Sequence, residues 1–289
     1  MTFDLGDQSG RTAIITGSNS GLGKQTAIAL AGAGADVVLA CRNLDKANAV
    51  AAEIGSRARV EQLDLASLDS VRDFAKRIGT ADLLINNAGV MAVPYKRTAD
   101  GFEMQMGTNH LGHFALTMQL LDADKVADRV VTLSSFMHRL GKIDFDDLNW
   151  EKRRYNRWRA YGDSKLANLL FGKELAKRLA ASGSTVTSTI AHPGYADTDL
   201  QSHTESFQDR VMVLGNRILA QSAADGALPT LYAAVSPKAT NGGFYGPTKL
   251  GGMQGPPGPS PYRKIADDEK VRTRLWTVSQ QLTGVNSAL

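Results

Sequence analysis

Short apolar runs alternate with longer segments of helical pattern along the first half of the chain. Several of these runs, such as 13–15 and 37–40, are continuously apolar, as in strands that are buried on both faces of a sheet. The alternation predicts an α/β fold, a doubly wound parallel sheet with helices on both faces. We expect about seven strands, near residues 12–16, 36–41, 59–64, 82–86, 129–134, 185–191 and 243–245.

Helical patterns fill the intervals between these strands, at residues 22–32, 44–54, 68–78, 101–121 and 164–182. No linker or internal repeat interrupts them, so we expect a single domain over residues 1–289. Residues 199–222 should form an amphipathic helix that either covers a site or packs on the core, because apolar side chains recur there at helical spacing. Prolines and glycines are interleaved in segment 247–261 and predict irregular structure there.

The composition argues against several classes of protein. No apolar run approaches the roughly 20 residues of a membrane-spanning helix, and residues 1–10 lack the apolar core of a secretory signal. We therefore expect a soluble, cytoplasmic protein without a membrane anchor. Cys41 is the only cysteine, so neither a disulfide within the chain nor a metal site is expected. The basic residues within 152–159 are expected in a solvated loop, because so short a stretch makes no surface large enough to bind nucleic acid.

The first strand ends in the glycine-rich sequence TGSNSGLG, residues 16–23, which leads directly into a helix. Glycine permits the tight turn at Gly17, and the missing Cβ at Gly21 and Gly23 lets a pyrophosphate approach the helix amides. A structural turn can look similar, but strand, turn and helix together match a Rossmann-type dinucleotide site. Its expected members are Gly17, Ser18, Asn19, Ser20, Gly21, Leu22 and Gly23.

The end of the second strand bears on the choice of dinucleotide. An NAD site usually has Asp or Glu there to bind the adenosine ribose, whereas this chain has Cys41 followed by Arg42. A guanidinium can bind the 2′-phosphate of NADP(H) through two charge-assisted hydrogen bonds, so NADP(H) is the predicted cofactor. Ser18 could add a hydroxyl contact, and an ordinary exposed arginine is the alternative. Asp64, with Leu65 beside it, would hold the adenine amino group or cap a nearby helix.

Tyr161 and Lys165 are four positions apart at the start of a helical pattern. At this spacing an ammonium can lie beside a phenol and lower its pKa, so that the phenol exchanges a proton with an alcohol or carbonyl oxygen. Chance alone could produce the spacing, but other polar or small residues map to the same edge of the sheet. They are Asn87, Ala88, Gly89, Asn109, Ser134 and Ser135.

The ordered motifs TGxxxGxG, NNAG, a serine at a strand end, YxxxK and a PG turn resemble the short-chain dehydrogenase/reductase family, from about residue 10 to 247. The resemblance implies an oxidoreductase that transfers a hydride between a nicotinamide cofactor and an alcohol or carbonyl compound. Tyr161 would be the general acid/base and Lys165 would bind the nicotinamide ribose. Asn109 would anchor a water molecule in a proton relay.

The resemblance also implies roles for residues near the substrate and the nicotinamide. Ser135, with Ser134 as the alternative, would polarise the substrate oxygen. Pro193, Gly194 and Thr198 would contact the nicotinamide amide.

Shorter motifs point to one branch of the family. ACRN at 40–43, TNHLGHF at 108–114, SKLAN at 164–168 and LYAAVSP at 231–237 are similar to retinol dehydrogenases and WW-domain-containing oxidoreductases. That branch implies NADP(H) and an insertion before the catalytic tyrosine, and here 26 positions separate Ser135 from Tyr161. Family members often associate through their fourth and fifth helices, which implies a possible homo-oligomer.

Two functions are compatible with these residues. The first is an NADP(H)-dependent oxidoreductase that interconverts an alcohol and its aldehyde or ketone, with a hydrophobic small-molecule substrate. The second is a catalytically silent NADP(H)-binding sensor or scaffold, since one fold hosts more than one function. The complete set of candidate catalytic residues favours the enzyme, because a protein that only binds a nucleotide needs no Tyr–Lys pair.

Overall fold

The computed structural model describes residues 3–194, 222–287 and 289, whose strands form one sheet in the order β3-β2-β1-β4-β5-β6-β7-β8. The first seven strands in this order pair in parallel, and β8 pairs antiparallel to β7. The predicted Rossmann-type doubly wound sheet is confirmed, with eight strands where we expected about seven. The strands are β1 (Thr12–Thr16), β2 (Asp36–Cys41), β3 (Ala58–Gln62), β4 (Ala81–Asn86), β5 (Val126–Leu133), β6 (Thr187–Ala191), β7 (Phe244–Lys249) and β8 (Gln254–Pro259).

Helices lie on both faces of this sheet, as predicted from the alternating pattern. The stretch that we expected as one helix over 101–121 is instead α4 (Met104–Met106), a π-helical segment at Gly107–Leu111, and α5 (Gly112–Asp122). The helices are α1 (Gly21–Gly32), α2 (Leu44–Ile54), α3 (Leu68–Arg77), α4 (Met104–Met106), α5 (Gly112–Asp122), α6 (Arg157–Ala181), α7 (Ala223–Val235) and α8 (Glu269–Thr283).

Apolar side chains pack on both faces of the sheet because neighbouring residues of a strand point to opposite faces. Ile14 belongs to the core under α3, α5, α6 and α8, where it shares a cluster with Phe74 and Phe114. Ile15 belongs to the core under α1, α2 and α7, together with Leu30. Burial of the sheet on both sides explains why its central strands are continuously apolar in sequence.

The proline- and glycine-rich segment 247–261 does not form the irregular structure that we predicted. It supplies the end of β7 and all of β8, joined by a short 3₁₀ turn at Leu250–Gly252. Pro247 pairs with Pro257, and Tyr245 pairs with Pro259. Proline is tolerated because β8 is an edge strand, where a missing N–H need not deprive a further strand of a hydrogen bond.

Helix α8 was not predicted, and it packs against both α5 and α6. The Trp276 ring lies 5.2 Å from the Phe114 ring and 6.0 Å from the Phe171 ring, measured between centroids. Resemblance had implied that the fourth and fifth predicted helices, at 101–121 and 164–182, would contact a second subunit, and these end in α5 and lie in α6. The face that α8 covers is not available for such a contact.

The basic stretch 152–159 leads into α6. This helix begins at Arg157, so the last three residues of the basic stretch 152–159 are helical and were wrongly assigned to a loop. Asn156 caps it by accepting hydrogen bonds from the backbone N–H groups of Trp158 and Arg159.

The predicted covering helix at 199–222 lies outside the described residues except for Ser222. Among the described helices, none is long and apolar enough to cross a lipid bilayer.

Candidate active site

A cleft of about 680 Å³ lies at the carboxyl edge of the sheet, beside β1 and β4, where the strand order reverses. Ligands of open α/β sheets bind at such a point. The predicted residues that line the cleft are Gly17, Asn19, Ser20, Gly21, Leu22, Gly23, Arg42, Asp64, Leu65, Asn87, Ala88 and Gly89. Further lining residues, which we did not predict, are Ala40, Asn43, Lys46, Leu63, Val90, Met91 and Thr108.

The glycine-rich turn has the geometry of a phosphate cradle. Gly17 adopts a φ of +64°, and a Cβ on Gly23 would lie 2.4 Å from Nδ2 of Asn87. Within the described residues, no side chain caps the N-terminus of α1, and its first turn carries no acidic residue. The N–H groups at this helix end are therefore available to an anion, which fits the pyrophosphate of a dinucleotide.

Ser18 lies in this turn but does not line the cleft. Its hydroxyl is fully buried and donates a hydrogen bond to the Ile15 carbonyl oxygen at 2.9 Å. The Cys41 sulfur lies 3.6 Å from the same hydroxyl. Ser18 thus holds the turn against β2, and the structure does not direct its hydroxyl towards the expected 2′-phosphate.

The cleft has two basic side chains beyond the end of β2. Strand β2 ends at the buried Cys41, and the exposed Arg42 and Lys46 both line the cleft. Asn43 caps α2 by accepting a hydrogen bond from the Lys46 backbone N–H at 3.0 Å. Arg42 precedes this cap and Lys46 lies in the first turn of α2, and both line the cleft.

Asp64 lies at the cleft, where its Oδ1 accepts a hydrogen bond from the Ala66 backbone N–H at 2.9 Å. The nearby helix cap that we considered for it belongs to Ser67, which accepts a hydrogen bond from Ser70. Asp64 therefore closes a local turn and lines the cleft with Leu65 beside it.

A buried network that we did not predict connects β1, the NNAG turn and α5. The Thr16 hydroxyl accepts hydrogen bonds from the Asn87 and Ala88 backbone N–H groups, each at 2.9 Å. Nε2 of His113 lies 2.9 Å from the same hydroxyl, and its Nδ1 lies 2.9 Å from the Asn109 carbonyl oxygen. Because a carbonyl can only accept, Nδ1 donates and Nε2 accepts from Thr16. Burial lowers the pKa of His113 to about 3, so the ring is neutral.

Asn109 lies in the π-helical segment and contacts both sides of the site. Its Oδ1 accepts a hydrogen bond from the Val90 backbone N–H at 2.8 Å, and its Nδ2 donates to the Val90 carbonyl oxygen at 3.0 Å. Nδ2 also lies 2.9 Å from the Ser164 hydroxyl on α6. Isolated π-helical turns occur frequently at functional sites, and no local pattern in this sequence distinguished one from an α-helix.

Two serines follow β5, and the structure separates their environments. The Ser134 hydroxyl is buried and donates to the Lys165 carbonyl oxygen at 2.7 Å. Ser135, by contrast, lies beside the Tyr161 phenol and favours its ionised form. Ser135 also accepts a hydrogen bond from the Met137 backbone N–H at 3.2 Å.

The predicted effect of Lys165 on Tyr161 is not observed. Burial raises the pKa of Tyr161 to about 12, and Ser135 only partly opposes this shift. Nζ of Lys165 lies 5.7 Å from the centroid of the phenol ring and donates a hydrogen bond to the Leu133 carbonyl oxygen at 3.1 Å. Burial lowers the pKa of Lys165 to about 8. Desolvation therefore outweighs the attraction that we expected to lower the tyrosine pKa.

Lys165 connects these catalytic candidates to the cleft. A Cβ on Gly89, which lines the cleft, would lie only 3.5 Å from Nζ of Lys165 and 3.1 Å from Oδ1 of Asn109. The end of the cleft that the NNAG turn forms is therefore adjacent to Lys165 and Asn109.

The segment after β6 is held by the β7–β8 hairpin. His192 is buried, its ring stacks on Phe244, and its Nε2 lies 2.8 Å from the Ser260 hydroxyl. A Cβ on Gly194 would lie 2.5 Å from the Met253 carbonyl oxygen. Pro193 and Gly194 are half-buried and are not among the residues lining the cleft, and Thr198 lies outside the described residues.

Comparison with known proteins identifies the relatives of this chain. The sequence model of the short chain dehydrogenase family matches residues 11–209. Retinol dehydrogenase 13 from Homo sapiens is 44% identical over 295 residues, covering 96% of this chain and 86% of that protein. Retinol dehydrogenase 12 from Homo sapiens is 41% identical over 292 residues, covering 96% of this chain and 87% of that protein.

A solved structure is similar over the whole chain. An uncharacterised protein from Mycobacterium paratuberculosis has a TM-score of 0.86 and 46% sequence identity, covering 99% of this chain and 98% of that chain. Its fold agrees with the sheet described above. The chain therefore belongs to the short-chain dehydrogenase/reductase family of oxidoreductases and is similar to its retinol dehydrogenases.

Proposed function

We propose that this protein is an NADP(H)-dependent enzyme that interconverts a hydrophobic alcohol and its aldehyde or ketone. The observation that carries the proposal is the proximity of Ser135 to the Tyr161 phenol, with Lys165 close by at the end of a dinucleotide-sized cleft. A protein that only binds a nucleotide has no need for this arrangement.

The cleft residues fit a dinucleotide. The amides at the start of α1 would bind the pyrophosphate, and Asp64 would accept a hydrogen bond from the adenine amino group. Arg42 and Lys46 would bind a 2′-phosphate, since both line the adenosine end of the cleft and both are cations. The nicotinamide cofactor supplies or accepts the hydride when it is bound.

Tyr161 would transfer the proton. Its raised pKa keeps the phenol protonated at neutral pH, so in the reduction direction Oη would donate to the carbonyl oxygen of the substrate. Ser135 would donate a second hydrogen bond to that oxygen and stabilise the charge that develops there. Lys165 would bind the nicotinamide ribose, and Asn109 would anchor a water molecule that resupplies the proton.

The substrate class is inferred from relatives and composition. Similar proteins are named retinol dehydrogenases, so retinoids belong among the compounds to test. A screen should offer aldehydes, ketones, steroids and retinoids with NADPH or NADH, and follow the nicotinamide absorbance band. Tyr161→Phe is the matched control, because it keeps the ring and removes the hydroxyl.

The proposal expects turnover with NADPH that depends on the Tyr161 hydroxyl. Tight NADPH binding without turnover of any compound would instead favour a nucleotide sensor or scaffold. A preference for NADH would contradict the assignment of the cofactor but not that of the reaction.

A further inference from the structure

Arg153 lies between two carboxylates that are almost completely buried. Its Nε is 3.3 Å from Oδ2 of Asp147, and its Nη2 is 3.3 Å from Oδ2 of Asp163. The side chains of Asp147 and Asp163 are only 7% and 4% exposed. A buried carboxylate is costly without a cation, so the guanidinium compensates both at once.

Both carboxylates also bind backbone of the insertion segment, defined here as residues 141–156. Oδ1 of Asp147 accepts hydrogen bonds from the backbone N–H groups of Glu151 and Lys152, at 2.6 and 3.1 Å. Oδ1 of Asp163, on α6, accepts from the Lys142 backbone N–H at 2.8 Å. The insertion segment is therefore attached to α6 near its beginning, through Lys142, and near its end, through Arg153.

The Trp150 ring also contacts the Arg153 guanidinium. The Arg153 Cζ lies 3.6 Å from the centroid of the buried Trp150 ring, a close cation–π contact. Trp150 adopts a φ of +56°, which a bulky residue rarely adopts and which persists only where its surroundings hold it. The contacts of the insertion segment therefore maintain a strained residue directly beneath Arg153.

The insertion segment also reaches the chain that follows the NNAG turn. The Tyr155 hydroxyl is 3.1 Å from the Val93 carbonyl oxygen and 2.9 Å from Oε1 of the buried Glu103. The Tyr155 ring packs edge-on against Trp150, with their centroids 5.6 Å apart. The insertion segment thus connects α6 to the stretch that follows the NNAG turn.

Asp163 lies two positions from both Tyr161 and Lys165, which places it on the other side of the helix from those two residues. We infer that Arg153 is a positioning residue: it fastens the insertion segment to the back of α6, keeps Tyr161 beside Ser135, and does so only while Asp163 is ionised. This inference rests on the proposed function and extends it to control of the site by pH.

The charged groups around Asp163 support a transition in the acidic range. Burial raises the pKa of Asp163 to about 6, the charge of Glu103 adds to the rise, and Arg153 opposes it. Protonation below about pH 6 would remove the charge that Arg153 bridges, leaving Asp147 as its partner. Among the other described groups, burial lowers the pKa of His110, His113, His138 and His192 to about 4 or below. Burial raises the pKa of Glu103, which the Tyr155 hydroxyl contacts.

Two readouts test the inference from about pH 5 to about pH 8. The first is kcat with NADPH and any active carbonyl substrate. The second is hydrogen exchange of the insertion segment, corrected for the intrinsic pH dependence of exchange, which needs no substrate. Asp163→Asn keeps the side-chain oxygen that the Lys142 backbone N–H contacts and removes the negative charge. Arg153→Lys keeps the positive charge and removes the guanidinium that contacts both carboxylates. Glu151→Gln is the control. Glu151 lies on the insertion segment, and this substitution breaks only its exposed ion pair with Arg97.

We expect kcat of the wild type to fall about 10- to 100-fold on acidification, as for a misplaced catalytic group, with a midpoint near pH 6. Asp163→Asn should show the low value at every pH, Arg153→Lys should lower kcat at neutral pH, and Glu151→Gln should match the wild type. Protection of the insertion segment should follow the same pattern. His203→Gln should leave the midpoint in place, because the inference assigns the transition to Asp163.

Three outcomes would contradict the inference. An acidic midpoint that persists in Asp163→Asn, or that disappears in His203→Gln, would assign it to another group. Protection of the insertion segment that is independent of pH in the wild type would show that Asp163 does not control the fastening. A wild type without turnover of any compound would instead contradict the proposed function, and hydrogen exchange would still test Arg153 and Asp163.

Discussion

The Ser134 hydroxyl donates a hydrogen bond to the backbone carbonyl oxygen of Lys165 at 2.7 Å. This bond fastens the end of β5 to α6 and occupies the only proton that Ser134 can donate. Ser135, one position later, points towards the Tyr161 phenol instead. Adjacent residues at a strand end therefore have different surroundings, since one contacts the backbone of α6 and the other lies beside the Tyr161 phenol.

Substitution of the two serines should separate their roles. Ser135→Ala should lower kcat by about 10²- to 10³-fold, as expected when a hydrogen-bond donor to the developing charge is removed, with little effect on unfolding. Ser134→Ala should cost roughly 1 kcal/mol of unfolding free energy, because one buried hydrogen bond is lost, and should leave Ser135 in place. Turnover and urea denaturation of both variants check this. A larger loss of kcat in Ser134→Ala would mean that the two roles are reversed.

Cofactor choice should depend on both cations of the cleft. Arg42→Ala and Lys46→Ala should each weaken NADPH binding by about tenfold or more, because each removes a charged contact with the 2′-phosphate. NADH binding should change little. Titration of both cofactors measures this, with Arg72→Ala as the control, since Arg72 lies away from the cleft in an exposed pair with Asp69. Equal losses for the two cofactors would disprove the 2′-phosphate assignment.

Removal of the Tyr161 hydroxyl should affect turnover and spare cofactor binding. Tyr161→Phe should lower kcat by about 10²- to 10⁴-fold, the usual contribution of a general acid or base. The ring still packs, so NADPH affinity should stay near that of the wild type. Normal turnover in this variant would exclude Tyr161 as the proton donor, and loss of NADPH binding would indicate a structural tyrosine.

Lys165 should make cofactor binding depend on pH. Its pKa is lowered from 10.5 to about 8, so its positive charge is lost as the pH rises through about 8. NADPH affinity should therefore fall above about pH 8 in the wild type. Lys165→Met should bind weakly at every pH, and Lys165→Arg should move the decline to higher pH.

The titration of Lys165 does not destabilise the fold as the pH rises. Unfolding caused by this residue therefore cannot explain the loss of NADPH affinity above about pH 8. Between about pH 8 and pH 10.5 the unfolded chain binds more protons at this residue than the folded chain does. The contribution of Lys165 to folding stability therefore rises over this interval. A thermal unfolding series at each pH provides the control.

Helix α8 should contribute strongly to stability. Trp276 is buried between Phe114 and Phe171, and the Arg178 guanidinium lies 4.4 Å from its ring centroid. Trp276→Ala should lower the unfolding free energy by about 3–5 kcal/mol, the usual cost of removing a large aromatic side chain from a core. Thr277→Ala on the exposed side of the same helix should change it by less than about 0.5 kcal/mol. Equal effects of the two substitutions would show that α8 is not part of the core.

Local patterns in the sequence predict most of the sheet. Strands β1 and β2 have the predicted bounds, because a continuously apolar run between turn residues is a strong local signal. The strand predicted near 243–245 is the start of β7. The rest of β7 and all of β8 were missed, since proline and glycine weaken any local strand signal and β8 is stable only at the sheet edge. Helix α8 was missed for a related reason, because its apolar face is buried only by packing against α5 and α6.

The sequence by itself determined the residue types at the carboxyl edge of the sheet, because motif order and strand ends are local features of the chain. It predicted the cleft residues Gly17, Arg42 and Asp64 at the positions where the structure places them. The tertiary structure alone decided which serine faces Tyr161, and it raised the phenol pKa where sequence spacing had suggested a fall. Burial is the physical reason, because desolvation depends on everything packed around a group and on nothing that its own neighbours in sequence reveal.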